Sequence, residues 1–197
     1  MANEYGDKAA LKERLGLDAD DTSRDGLLDK ALAAASRSID KTCGRKFWLD
    51  DEPKERVYRP QGRVSRESDG DLFLIDDIGS VDGLVVESGS GTSYSAVTGY
   101  ETTPENALLD GKPITGLLMV SGTWGSVTNR LRITAKFGWP TVPDDVAEAA
   151  LIQSARLYRR KDSPEGLTGS AEWGVVRVSR RDPDVWALIE PYIIPGF

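Results

Sequence analysis

Asp71, Asp76 and Asp77, in the run DLFLIDDIG, are the residues with the strongest claim to chemistry in this chain. Carboxylates this close in sequence could hold Mg²⁺, a hard cation that takes oxygen ligands, and so support a hydrolase. Adjacent strand residues point to opposite faces, however, so Asp76 and Asp77 do not converge. The spacing predicts a solvated strand terminus, and a magnesium-dependent hydrolase using Asp76 and Asp77 is the alternative from a different class. The acidic run DADD at 18–21 lacks the twelve-residue ligand spacing and closing Glu of a calcium loop. It reads as a polar connector ahead of a helix.

The remaining chemistry is sparse. There is no histidine, which removes histidine triads, mixed His/Cys zinc sites and imidazole acid–base catalysis together. No phosphate-cradling glycine loop, nucleophile elbow or paired CxxC occurs in the sequence. Cys43 is the single cysteine, so an internal disulfide is impossible, and the residue reads as a small buried or half-buried side chain, not a reactive thiol, in a reducing compartment. We therefore expect no enzyme activity, no metal and no cofactor.

Thirty-two acidic against 25 basic side chains give a formal charge of −7. That balance opposes tight wrapping on nucleic acid, whose phosphates need neutralising. It still lets DNA pass without sticking. The basic residues gather at RKFW near 45, RRK at 159 and SRR at 179, without the continuous basic helix face of a specific DNA reader. MANEYGDKAALKERLGL has no apolar run and is not expected to be a signal peptide. Apolar runs such as LLMV at 117–120 are too short to cross a bilayer.

The elements that must position these residues follow from periodicity. Asp7 caps a short helix over 7–15 with Ala10, Leu11 and Leu15 on its apolar side and Gly16 as its stop. Thr22 or Ser23 is expected to cap a second helix to about 43. Its Leu27, Leu28, Ala31, Leu32, Ala35 and Ile39 recur at helical spacing, and Gly44 ends it. Ala31, Ala34, Ala35 and Ser38 form a small-residue side that lets another helix approach. From about 55 to 138 the chain turns β-rich: ERVYR, DLFLID, GLVVES, TSYSAV, GLLMVSG and RLRITAKF, divided by turn sequences. RLRITAKF alternates apolar with polar residues and is the clearest half-buried strand. QGRVSRESDGD at 61–71 and DSPEGLTGS at 162–170 read as poorly ordered loops.

A long helix is expected over about 143–161. Pro143 and Asp144, Asp145 and Glu148 stand near its positive end, with Arg156, Arg159, Arg160 and Lys161 at the other. Val146, Ala150, Gln153 and Leu157 define one stripe of it, widened by Leu151, Ser154 and Tyr158. A strand in AEWGVVRVSRR and a short helix capped by Asp182 with Pro183 first complete the chain. The fold class is α+β: two N-terminal helices plus the long helix, a β-rich insert and a short C-terminal strand and helix. We expect 1–197 to act as a single composite domain.

Trp48, Trp124 and Trp139 fall at element ends and are expected to close the core. Candidates for contact with a partner lie in the tail. They are Trp173 and Trp186, the cations Arg177, Arg180 and Arg181, and Ile189, Tyr192 and Phe197. Val185, Trp186, Ile189 and Tyr192 share one side of a helix too short to persist undocked. That side meets either its own subunit or a neighbour.

LLDKALAAASRSIDKTCGRKF resembles the opening of tailed-phage head-tail connector proteins (head completion, or adaptor, proteins) of the gp6-like class. Their pattern falls here on Ala34, Ala35, Ile39, Asp40, Thr42, Gly44, Arg45 and Phe47. A second stretch of the class is matched at Phe137, Gly138, Val142, Pro143, Val146, Ala149, Ala155, Leu157, Tyr158 and Arg160. The resemblance implies a non-enzymatic virion protein at the head–tail junction, made in the cytoplasm of a bacterial host. It would form a cyclic oligomer of about twelve copies beneath the phage portal protein. DNA would pass through without specific recognition, a tail-side connector or stopper protein would dock below, and no membrane would be involved. Another minor virion protein, such as a tail terminator, is the nearest alternative.

Overall fold

The computed structural model describes residues 3–124, 129–160, 167–168, 176–177 and 182–194. The fold is mixed α+β, with N-terminal helices, a β-rich core and a C-terminal helix, and it divides into two compact units, 1–45 with 142–197 and 46–141.

The helical unit opens with α1 (Lys8–Leu15), where the Asp7 carboxylate accepts from the Ala10 amide and Gly16 turns left-handed to end the helix. Helix α2 (Asp25–Cys43) starts later than Thr22 or Ser23 would have it. Arg24 occupies the cap position without a side-chain bond, because Asp21 has already turned back on the Ser23 amide and Asp25 supplies the negative charge of the first turn. Leu28, Ala31, Leu32, Ala35 and Ile39 are buried as expected, whereas Leu27 is 49% exposed and Ser36 takes an inward place. Helix α3 (Asp144–Arg159) lays Val146, Ala149, Ala150, Ser154, Ala155 and Tyr158 inward, a stripe rotated from the expected one. Ser154 reaches the Ala31 carbonyl at 3.5 Å, which small residues on both helices allow. Leu11, Leu28, Leu32 and Tyr158 form the centre of this core.

Lys12 explains why the acidic connector is no metal loop. Its ammonium, on a side chain only 7% exposed, donates to the carbonyls of Ala19 and Asp21 at 3.0 and 2.9 Å and pairs with Asp25 at 2.8 Å. A cation from α1 therefore already sits where a divalent ion would have to. Its hydrogen bond holds the Asp25 carboxyl below the usual carboxylate range. Lys12→Met should destabilise the helical unit by about 2 kcal/mol, since two carbonyls lose their donor and Asp25 keeps only Lys8 as a cationic partner. Chemical denaturation measures this, and an unchanged midpoint would show the ammonium to be dispensable.

The tail packs on the same unit. Asp182 accepts from the amides of Asp184 and Val185, and α4 (Pro183–Ile189) runs into a 3₁₀ turn at Glu190–Tyr192. Two residues each of β8 (Leu167–Thr168) and β9 (Val176–Arg177) pair antiparallel, so the stretch expected as a loop at 162–170 contains strand.

In the β-rich unit one strand, β3 (Asp71–Ser90), spans what the sequence suggests as two. Its first part lies between β2 (Val64–Arg66) and β6 (Ile114–Met119), with β5 (Tyr100–Thr103) beyond β6. Its second part lies between β7 (Arg130–Phe137) and β4 (Ser93–Ala96), with β1 (Lys54–Tyr58) beyond β7. All pairings are antiparallel. Register shifts between Leu74 and Ile78, and between Ser80 and Val85, mark where β3 changes neighbours. The expected disordered loop at 61–71 thus contributes β2, whose Val64, Ser65 and Arg66 are all exposed. Leu131, Ile133, Ala135 and Phe137 of β7 are all buried, with Arg132, Thr134 and Lys136 half-buried between them. They meet Phe73, Ile78, Leu117 and Trp124 in one core.

Candidate interaction surface

The acidic residues of β3 do not make a site. Asp76 faces Arg56 at 2.7 Å, Arg63 at 3.7 Å and the Tyr58 hydroxyl at 3.1 Å. Asp77 points the other way, is buried, and accepts from the Trp139 indole at 3.1 Å. Neither is at a strand terminus, and only Asp76 meets solvent; the solvated-terminus reading is corrected because β3 runs on to Ser90. Asp71 is buried as well, held by Arg66 at 3.0 Å, while its carbonyl accepts from the Trp124 indole. Three carboxylates on one strand are thus spent on three separate partner sets. Among the described residues no group of three or more His, Cys, Asp or Glu could hold a metal ion.

Trp124, a member of the β-rich core, is 2% exposed and Trp139 6%, whereas Trp48 is half-buried under Lys46. The two stretches that carry the connector resemblance meet here. Phe47 stacks on Trp139 with ring centroids 5.3 Å apart, the Asp50 amide donates to the Phe137 carbonyl, and Gly138 lies against the Trp48 carbonyl.

The surface feature of the helical unit is a groove of about 100 Å³ where α4 crosses α2 and α3. Ile39, Thr42, Gln153, Val185, Trp186 and Ile189 line it. Val185 and Ile189 are buried, Trp186 in the same lining is half-buried, and Tyr192 beyond it is half-buried too. Arg156 ties Asp182 at 3.2 Å, Tyr192 donates to Asp145 at 3.3 Å, and the Ile194 amide donates to the Cys43 carbonyl at 2.9 Å. The tail is therefore docked on its own subunit through Val185 and Ile189, and Trp186 remains open on one side. Arg177 is described only as a position on β9; Trp173, Arg180, Arg181 and Phe197 lie outside the described residues. Thr42 and Gln153 were not among the expected contact residues. Their signal was spacing, since each stands on the tail-facing side of a helix whose partner the sequence does not reveal.

Cys43 sits beneath this groove, fully buried, its thiol 3.9 Å from the Ile189 carbonyl. Burial pushes the thiol up to about 11. Folded protein should resist a thiol reagent at pH 8 and react stoichiometrically only after denaturation. Prompt labelling of the native chain would contradict this burial.

No helix among the described residues is long and apolar enough to cross a membrane. No protein-family model matches the chain, and no curated protein matches it significantly. Two solved structures are similar in fold. One is a chain in the neck of an empty GTA particle computed with C6 symmetry, at 18% identity and a TM-score of 0.60, covering 96% of this chain and 90% of that one. The other is a chain in the virion of a native gene transfer agent (GTA) particle, at 17% identity and a TM-score of 0.56, with the same coverage of both chains.

Proposed function

We propose that this chain is a structural neck protein of a phage-like or GTA-like virion, a head-tail connector of the adaptor kind. The observation that carries this reading is the fold shared, nearly end to end, with a chain of a GTA particle neck. The connector motifs support it independently. Their residues Phe47 and Gly138 lie in one tightly packed junction, a physical reason for those types at those places. A hydrolase is disfavoured by the divergence of Asp76 and Asp77 into an ion-pair cluster and an indole bond.

In this reading the chain works as a single composite unit and forms a ring beneath the portal protein. DNA passes through the ring and a tail-side stopper docks below it. A ring of about twelve copies is compatible with the sixfold symmetry used for the similar neck, twelve being a multiple of six. Assembly is head-to-tail, because two different faces on each subunit close a ring about an axis. The site of action is the virion, after synthesis in the bacterial cytoplasm. Electron microscopy of the purified protein mixed with portal rings tests this. A stacked ring is the expected result, and an isolated two-fold dimer with no ring at the portal overturns it.

Portal contact is assigned to the tail: half-buried Trp186 and Tyr192 and buried Ile189, together with Trp173, Arg177, Arg180, Arg181 and Phe197 of the same stretch of sequence. Aromatic anchors that become well packed and desolvated on binding carry much of the energy at protein interfaces. Trp186→Ala should weaken portal binding by more than about 1 kcal/mol while the monomer stays folded. If it lowers the melting temperature and leaves portal affinity unchanged, Trp186 serves its own subunit alone.

A further inference from the structure

The strands β2–β3–β6–β5 form a four-stranded half-sheet whose two outer edges differ in charge. The β2 edge is basic on balance: Arg59, Arg63 and Arg66, with Arg56 of β1 before them, stand in a run 56–66 without acidic residues, although exposed Glu67 and Asp69 follow. Arg56 and Arg63 are partly neutralised by Asp76, and Arg66 by Asp71; Arg59 is exposed and makes no ion pair among the described residues. The β5 edge is acidic: residues 101–110 contain Glu101, Glu105 and Asp110 and no basic residue, although exposed Lys112 follows. All three carboxylates are exposed and none is ion-paired among the described residues. Each edge also exposes an apolar residue, Val64 at 39% beside the arginines and Leu109 at 87% among the carboxylates.

Strand direction adds a second constraint. The three pairings β2–β3, β3–β6 and β6–β5 are antiparallel, so β2 and β5 run in opposite senses. A further copy whose β2 lies beside β5 therefore continues the antiparallel alternation, which is the more favourable pairing. Open edges are templates for such pairing. Joining β5 to β5 across a two-fold axis would instead oppose like charges, which is unfavourable in directly facing strands.

We infer that the occupant of the acidic β5 edge is the basic β2 edge of a second copy of this chain, giving a heterologous contact that repeats around a ring. This rests on the ring reading above and specifies its subunit interface. β2 is three residues long and β5 four, so a single contact is weak and gains from closure.

Cross-linking with a short bismaleimide tests the contact on the full chain, since buried Cys43 does not compete. Protein carrying both Ser65→Cys and Thr102→Cys should give a ladder of covalent oligomers. Either single variant alone should stay monomeric, and a mixture of the two should stop at dimers. In the double-cysteine background, Arg59→Glu or Glu101→Lys should each cut the ladder about tenfold, and the two together should restore it. Dimers from Thr102→Cys alone would show a two-fold contact and overturn the inference. So would links to the portal or another virion protein in place of a second copy. A ring seen at the portal with no ladder sinks the edge contact and leaves the ring reading standing. A ladder with no closed ring keeps the contact and sinks the ring; absence of both sinks both.

Discussion

Gly138→Ala is expected to destabilise the β-rich unit by about 4 kcal/mol, from steric overlap and backbone strain acting together. Gly138 has φ 117°, a backbone that L side chains rarely adopt. A Cβ built there would lie 1.8 Å from the Trp48 carbonyl oxygen. Neither neighbour can yield easily. The Gly138 amide donates to the Asp77 carbonyl at 2.9 Å, and the Phe137 carbonyl takes the Asp50 amide at 2.8 Å, so the two backbones are clamped on both sides of the clash. Thermal or urea denaturation followed by tryptophan fluorescence reads the effect, because Trp48 and Trp139 flank the position. A loss below about 1 kcal/mol would mean that the 46–50 segment can slide, and the clamp described here would be wrong.

Phe47→Ala should cost about 3–5 kcal/mol, the range for deleting a fully buried aromatic ring. Phe47 is 0% exposed and stacks on Trp139, whose indole is fixed by Asp77. Removing the ring opens a cavity that a clamped backbone cannot collapse to fill. Phe47→Leu should recover part of the loss, since it restores apolar volume without the ring contact. Equal destabilisation by both variants would assign the effect to the aromatic pair alone, and a loss under 1 kcal/mol for alanine would show that the site relaxes.

Local chemistry was readable in advance where it is local in fact. The caps of Asp7 and Asp182 involve amides two or three residues away, so sequence spacing was enough to place them. The alternation of β7 was equally plain, because one of its faces is buried along its whole length. The start of α2 was not, since the connector before it is organised by Lys12 from a different helix. β3 reads as two strands because Asp76, Asp77, Gly79 and Gly83 interrupt its apolar pattern. Those interruptions are where it exchanges one neighbour for another, a tertiary event. β5, YETT, carries too few apolar residues to announce itself and is a strand only because β6 offers it hydrogen bonds. The tail showed its apolar side in sequence, but which half of that side stays open is decided by α2 and α3, far away in the chain.

Trp48 and Gly138 touching backbone to backbone means that the chain enters the β-rich unit beside the point where it leaves. Such a doorway lets a segment be lengthened, trimmed or exchanged without moving the ends it presents to the rest of the polypeptide. Within 46–141, the stretch between Asp50 and Phe137 can then vary in length while the closure made by Phe47, Trp48, Gly138 and Trp139 stays in place.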